Sequence, residues 1–274
     1  MQVGKQHIDL SSPKVMAIVN LTPDSFFDGG RYIKTEAVHH RIEKVIEEGA
    51  DIIDLGAYST RPGAAKVDLE DEWKRLVPAL SFIRKNYKNI PISIDTFRAE
   101  IADRVLKYFG SFIVNDISAG TLDKNLFSWV GEHKMPYILM HIKGTPQDMQ
   151  QNPVYDDVVS EVYDFLKEKL SQLRDLGAGD VIIDLGFGFG KTITHNYQLL
   201  REIKAFDSLQ CPMLVGISRK SMIYKLLNTE AKEALNGTTV LNTMALERGA
   251  KILRVHDAKE AKEAVALVSA MQNA

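Results

Sequence analysis

A small set of polar side chains in this chain either ends a short apolar run or follows closely behind one: Asn20, Thr60, Arg61, Asp95, Asn115, His141, Asp184, Lys220, Arg254 and His256. Carboxylates beside a carboxamide suit a flat heterocycle that presents an N–H next to an amino group, because a carboxylate accepts two parallel hydrogen bonds. Asp184 and Asn115 fit that task. Arg61, Arg254 and His256 are read as cations suited to an anion. Together they imply a substrate with a heterocycle at one end and a phosphate leaving group at the other. The set has no His/Glu cluster at metal-ligand spacing and no nucleophile with a helix-borne base, so hydrolytic metal chemistry and covalent catalysis are not indicated.

Each residue also has a plainer reading. A strand-end Asp often caps the helix that follows, but six or more such residues together make capping alone an insufficient account. Lys220 follows Ser218-Arg219 at a helix start, where a cation opposes the dipole unless an anion or acceptor lies near. Arg219 is expected to bridge to an acidic neighbour, His141 to be structural, and Met140 to line a pocket. The alternating glycines Gly186, Gly188 and Gly190 do not make a phosphate loop, since Leu185 stands where the first glycine is needed, and they do not fit the dinucleotide spacing.

The elements that must position these residues alternate along the chain. Strands are expected at Val15 to Val19, Ile52 to Leu55, Pro91 to Asp95, Phe112 to Val114, Tyr137 to His141, Val181 to Asp184, Met213 to Ile217 and Ile252 to Val255. Helical spacing falls between them, most clearly from Val154 to Leu176 and from Ala231 to Arg248, with a last helix from about Lys259 to Met271. The loops at 21–31 and 57–68 are long for strand-to-helix connections. With no linker or composition shift, the pattern is that of a (β/α)8 TIM barrel in a single domain over 1–274, with residues 1–14 a short N-terminal lead. An open doubly wound sheet is the structural competitor. In a barrel, the strand C-terminal ends bring the polar set to one face.

With 274 residues, 45% hydrophobic and 26% charged, the chain has an ordinary globular composition. Its net charge of -2 argues against nucleic acid as a partner. Cys211 is the only cysteine, excluding an intrachain disulfide and a Cys-based zinc site. The first residues lack a signal-peptide core and no stretch is long enough for a membrane span, so a cytoplasmic protein is expected.

Several motifs, in order, resemble those of the bacterial dihydropteroate synthase family of pterin-binding barrels. They are Met16 to Phe26, Ser59-Thr60-Arg61-Pro62-Gly63-Ala64, Gly186 to Lys191, Ser218-Arg219-Lys220-Ser221 and Arg254-Val255-His256-Asp257. The resemblance implies a transferase that joins (7,8-dihydropterin-6-yl)methyl diphosphate to 4-aminobenzoate, with Mg2+ assisting, in folate biosynthesis. It implies pterin contacts from Asp95, Asn115, Met140, Asp184, Phe189 and Lys220. The diphosphate would meet Asn20, Thr60, Arg61, Arg254 and His256, with Asn20 toward the metal. The aminobenzoate would meet Thr60, Arg61, Pro62, Phe189, Lys220 and Ser221, and the chemistry would fall to Asp95, Lys220, Asn20, Arg254 and His256.

A homodimer, sulfonamide binding and two mobile loops closing over the site are further implications, with residues 231–271 the expected dimer surface. The chain departs from the family pattern at Gly56-Ala57-Tyr58 and at Asp184-Leu185-Gly186. Two rivals are a related barrel that moves a methyl group from a folate to a corrinoid, and a paralogue that binds pterin without turnover.

Overall fold

The computed structural model describes residues 1–22, 31–58, 66–144, 149 and 153–274, with backbone only for 31–34. Thr60, Arg61 and Pro62 lie outside the described residues, as does most of each long loop after the first two barrel strands.

A two-stranded antiparallel hairpin, β1 (Gln2–Val3) and β2 (Gln6–His7), precedes eight parallel strands. These are β3 (Lys14–Asn20), β4 (Ile52–Gly56), β5 (Ile92–Asp95), β6 (Ile113–Asp116), β7 (Tyr137–Met140), β8 (Val181–Asp184), β9 (Met213–Val215) and β10 (Ile252–Val255). They are Val/Ile-rich because parallel strands are covered on both faces. Each pairs with the next, and β10 pairs with both β9 and β3, which closes the barrel and excludes the open sheet.

Side chains alternate between two cores. Met16, Ile52, Ile113, Ile138, Ile182, Leu214 and Ile252 pack together inside the barrel, and Val3 and Ile8 of the N-terminal lead join them. The lead therefore plugs the barrel floor. The alternate residues, such as Ala17, Ile53, Val114, Ile183 and Leu253, pack in a separate cluster with the outer helices. Because the period is two, the residue two places beyond each floor residue points inward one layer higher. Those positions hold Ile18, Asp54, Asn115, Met140, Asp184, Gly216 and Arg254.

The described helices between the strands are α1 (Arg31–Glu47), α2 (Leu69–Asn86), α3 (Ala99–Phe109), α4 (Leu126–His133), α5 (Val158–Asp175), α6 (Ile193–Arg201), α7 (Ser221–Tyr224), α8 (Leu235–Glu247) and α9 (Ala258–Gln272). Three have side-chain caps, and none of those is a site carboxylate: Asp68 caps α2, Asp157 caps α5 and Thr192 caps α6. The capping account thus fails for Asp95 and Asp184. Asp116 caps a turn rather than a helix, accepting from Ser118 N, Ser118 Oγ, Gly120 N and the Tyr137 hydroxyl. The caps also move boundaries. The long helix starts at Val158 rather than Val154, and α6 is followed by a 3-10 helix at Ile203–Leu209. No helix among the described residues is long and apolar enough to cross a membrane.

Candidate active site

Register places the first three polar residues in one row: Asn20 pairs with Gly56, Gly56 with Asp95, and Asp95 with Asn115. Gly56 leaves the row open, since a Cβ there would lie 3.5 Å from Asn20 Oδ1 and 3.8 Å from Asp95 Oδ2. Arg254 closes it from β10. Its Nε donates to Asp54 Oδ2 at 2.8 Å and its Nη2 to Asp95 Oδ2 at 2.9 Å. Asn115 Nδ2 also donates to Asp54, at 3.2 and 3.3 Å.

Burial works against the charge on Arg254, but Asp54 and Asp95 outweigh it and hold the guanidinium above its ordinary pKa. For Asp95 burial dominates: it raises the carboxyl to about 7, against the pull of Arg254 and with the help of Asp54.

Asp184 ends β8, is 7% exposed, and accepts from Gly186 N at 2.8 Å. Burial raises its pKa, opposed first by Lys220. Lys220, at the N-cap of α7, makes no side-chain capping bond. Its Nζ donates to the Phe187 carbonyl, the acceptor partner that its place at a helix start required. Burial lowers it to about 8, with Asp184 opposing. The ammonium lies over the Phe189 ring, 4.7 Å from the centroid. Phe189 in turn packs on Ile117, Met140, Ile142 and Met149, an apolar wall beside the polar row. Met140 belongs to that wall.

His256 departs from the sequence reading. It is not a cation at neutral pH, because burial and then the nearby Arg254 push its pKa down to about 4. Ser218 Oγ orients it, sitting 3.1 Å from Nδ1, and Arg41 donates to its backbone carbonyl. Arg219 takes the bridging role: its Nε and Nη2 meet both oxygens of Asp257 at 2.8 and 2.9 Å. That pairing holds a non-glycine backbone at a φ of 54° just before Lys220. Ser221 follows as the first residue of α7.

Sequence reasoning passed over two residues. Asp54 is fully buried at the centre of the Arg254 network. Its signal was a carboxylate inside the apolar run Ile52 to Leu55. Lys191, 4% exposed, donates to His141 Nδ1 at 2.8 Å and to the carbonyls of Gly186 and Phe189 at 3.0 Å each. His141 is structural: burial and Lys191 push its pKa down to about 2. The two family departures are absorbed: Leu185 is fully buried, and the Ala57 carbonyl accepts from Arg75 Nη1 at 2.9 Å.

The geometry combines acceptors for a heterocycle edge, an aromatic platform and one poised lysine in a single barrel mouth. The family model described as "Pterin binding enzyme" matches residues 16–256. Dihydropteroate synthase of Escherichia coli K12 is 42% identical over 270 residues, covering 97% of this chain and 94% of the relative. The Yersinia pestis dihydropteroate synthase solved with a sulfonamide drug superimposes with a TM-score of 0.93 at 35% identity, covering 100% of this chain and 99% of that one. The Xanthomonas albilineans dihydropteroate synthase with 4-aminobenzoic acid gives 0.89 at 37% identity, covering 97% of this chain and 95% of that one. The chain belongs to the pterin binding enzyme family and, like its dihydropteroate synthase relatives, is an enzyme of the transferase class.

Proposed function

We propose that this chain condenses (7,8-dihydropterin-6-yl)methyl diphosphate with 4-aminobenzoate to 7,8-dihydropteroate and diphosphate. The observation that carries this reading is the grouping of Asp95, Asn115, Asp184 and Lys220 at the mouth of one barrel, beside the Met140 and Phe189 wall. Asp184 and Asn115 read the N–H and amino edge of the pterin, and Lys220 donates to a ring acceptor. The carbon–oxygen bond to diphosphate breaks with its electron pair going to the leaving group, and the electron-rich pterin spreads the positive charge left on the methylene. Asp95, as a carboxylate, faces that charge. The arylamine nitrogen then forms the carbon–nitrogen bond and loses a proton. Its weak basicity removes the need for a strong base.

Asn20 offers one hard oxygen at the rim. That fits a magnesium ion carried in on the diphosphate, since Mg2+ takes most of its ligands from phosphates and water. When bound, the ion neutralises the departing diphosphate. Arg254 reaches the same region while tied to two carboxylates, and neutral His256 offers a hydrogen bond rather than a charge. Thr60, Arg61, Pro62, Phe189, Lys220 and Ser221 are assigned to the aminobenzoate, with Thr60 and Arg61 also assigned, beside Asn20, to the diphosphate. The reaction is placed in the cytoplasm, supported by a lone thiol at Cys211.

A homodimer is supported by exposed apolar side chains on and after α7 to α9: Leu226, Leu227, Val240, Met244, Leu267 and Met271. The pterin assignment is tested by Asp184→Ala: calorimetry is expected to show loss of pterin binding of at least a hundredfold in a folded protein. Unchanged affinity removes the assigned role.

A further inference from the structure

The glycine turn after β8 is held by two lysines, and only one of them faces the proposed substrates. Lys220 takes the Phe187 carbonyl, while Lys191 takes those of Gly186 and Phe189 together with His141 Nδ1. Lys191 Nζ thus meets three partners, and the His141 ring beside it is kept neutral by burial and by Lys191. Burial pulls the Lys191 pKa well below the ordinary lysine value, opposed by Asp184. The matched acceptors keep the donors occupied.

The turn is also clasped to the end of β7. Gly186, at a φ of +67°, lies so close to the strand that a Cβ would sit 1.8 Å from the His141 carbonyl oxygen. A Cβ on Gly190 would sit 2.5 Å from the Lys143 carbonyl oxygen, and the Tyr155 hydroxyl donates to the Gly190 carbonyl at 2.7 Å. Only a bare backbone allows Lys191 to gather these carbonyls.

We propose that Lys191, acting through His141 and the 186–190 carbonyls, is a positioning residue that sets the Phe189 ring and the Phe187 carbonyl for the arylamine substrate. It rests on the function proposed above. A buried lysine gripping its own turn holds from the backbone side a ring that Lys220 and Met140 touch from the cavity side. Removing it frees the ring without removing any group that contacts substrate.

The test uses the full chain and Lys191→Met. Its KM for 4-aminobenzoate is expected to rise on the order of tenfold with kcat within about threefold. In a Phe189→Ala background, the same substitution is expected to change KM by less than about twofold. An unchanged KM in the first case, or an equal rise in both backgrounds, overturns the proposal. A second arm needs no turnover: acrylamide quenching of the indole in the Phe189→Trp protein, after subtraction of Trp73 and Trp129, is expected to rise at least about twofold on adding Lys191→Met. Unchanged quenching overturns the proposal even if the enzyme is active. A protein without turnover but with raised quenching supports the positioning role and counts against the proposed reaction instead. If Lys191→Met does not fold, His141→Leu, which removes one acceptor, carries the same comparisons with the same outcomes.

Discussion

Asp54 and Asp95 share one guanidinium, leaving a surplus negative charge in a buried place. Burial raises Asp95 to about 7 despite a cation 2.9 Å away, and that surplus charge adds to the rise. The proposed chemistry needs Asp95 ionised and Lys220 protonated. We therefore expect kcat/KM to rise through about pH 7 and to fall above about pH 8, with Lys220 setting the upper limb. Asp54→Asn removes a charge that adds to the effect of burial on Asp95, so the lower limb is expected to move down by on the order of one pH unit. A limb that stays put removes Asp54 from this role.

Stability gives an independent check on Asp95. Its folded pKa lies above the ordinary value of 3.8. Its contribution is thus complete below 3.8 and is lost as pH rises through about 7. Denaturant titrations are expected to show Asp95→Asn gaining stability relative to the unsubstituted protein between pH 5 and pH 8. Asp95, Asn115, Asp184 and Arg254 were legible because a residue at a barrel strand's C-terminal end faces the active mouth. Asp54 escaped that rule because Leu55 and Gly56 continue β4 beyond it. The charge state of His256 was not legible at all, since burial is set by chains distant in sequence.

At the scale of elements, the turn after β8 and the cap of α5 contrast two kinds of stabilising contact. Gly186→Ala would force a Cβ into the His141 carbonyl at a left-handed φ, so chemical denaturation is expected to show a loss of several kcal/mol with loss of activity. Asp157→Ala removes a cap that accepts from Val159 N and Ser160 N, and is expected to cost about 1 kcal/mol with activity retained. Reversed magnitudes would contradict the tight contact at Gly186. The alternation of the glycines was visible in sequence, and so was its mismatch to phosphate loops. Its reason was not, because Lys191 meets His141 across 50 residues and otherwise binds only backbone. The start of the long helix was missed because Asp157 caps it later than the apolar periodicity suggests.

The whole molecule is a barrel with a floor, a mouth and an apolar outer flank. The barrel itself followed from eight alternating units, while closure became visible only when β10 met both β3 and β9. The polar N-terminal lead concealed its task, as Val3 and Ile8 are buried in the floor while Met1 and Leu10 pack against it half-buried. Deleting residues 1–9 is expected to lower stability by ~3 kcal/mol with KM values unchanged, since two buried aliphatic side chains are lost far from the mouth. Light scattering is expected to give twice the 30.7 kDa chain mass, and Leu267→Lys with Val240→Lys is expected to shift it toward a monomer. The account as a whole turns on one reaction. Diphosphate release is the most direct measurement: it is expected only when pterin methyl diphosphate, 4-aminobenzoate and Mg2+ are all present, in equal amount to the dihydropteroate formed. A folded protein that binds the pterin but releases no diphosphate would contradict it.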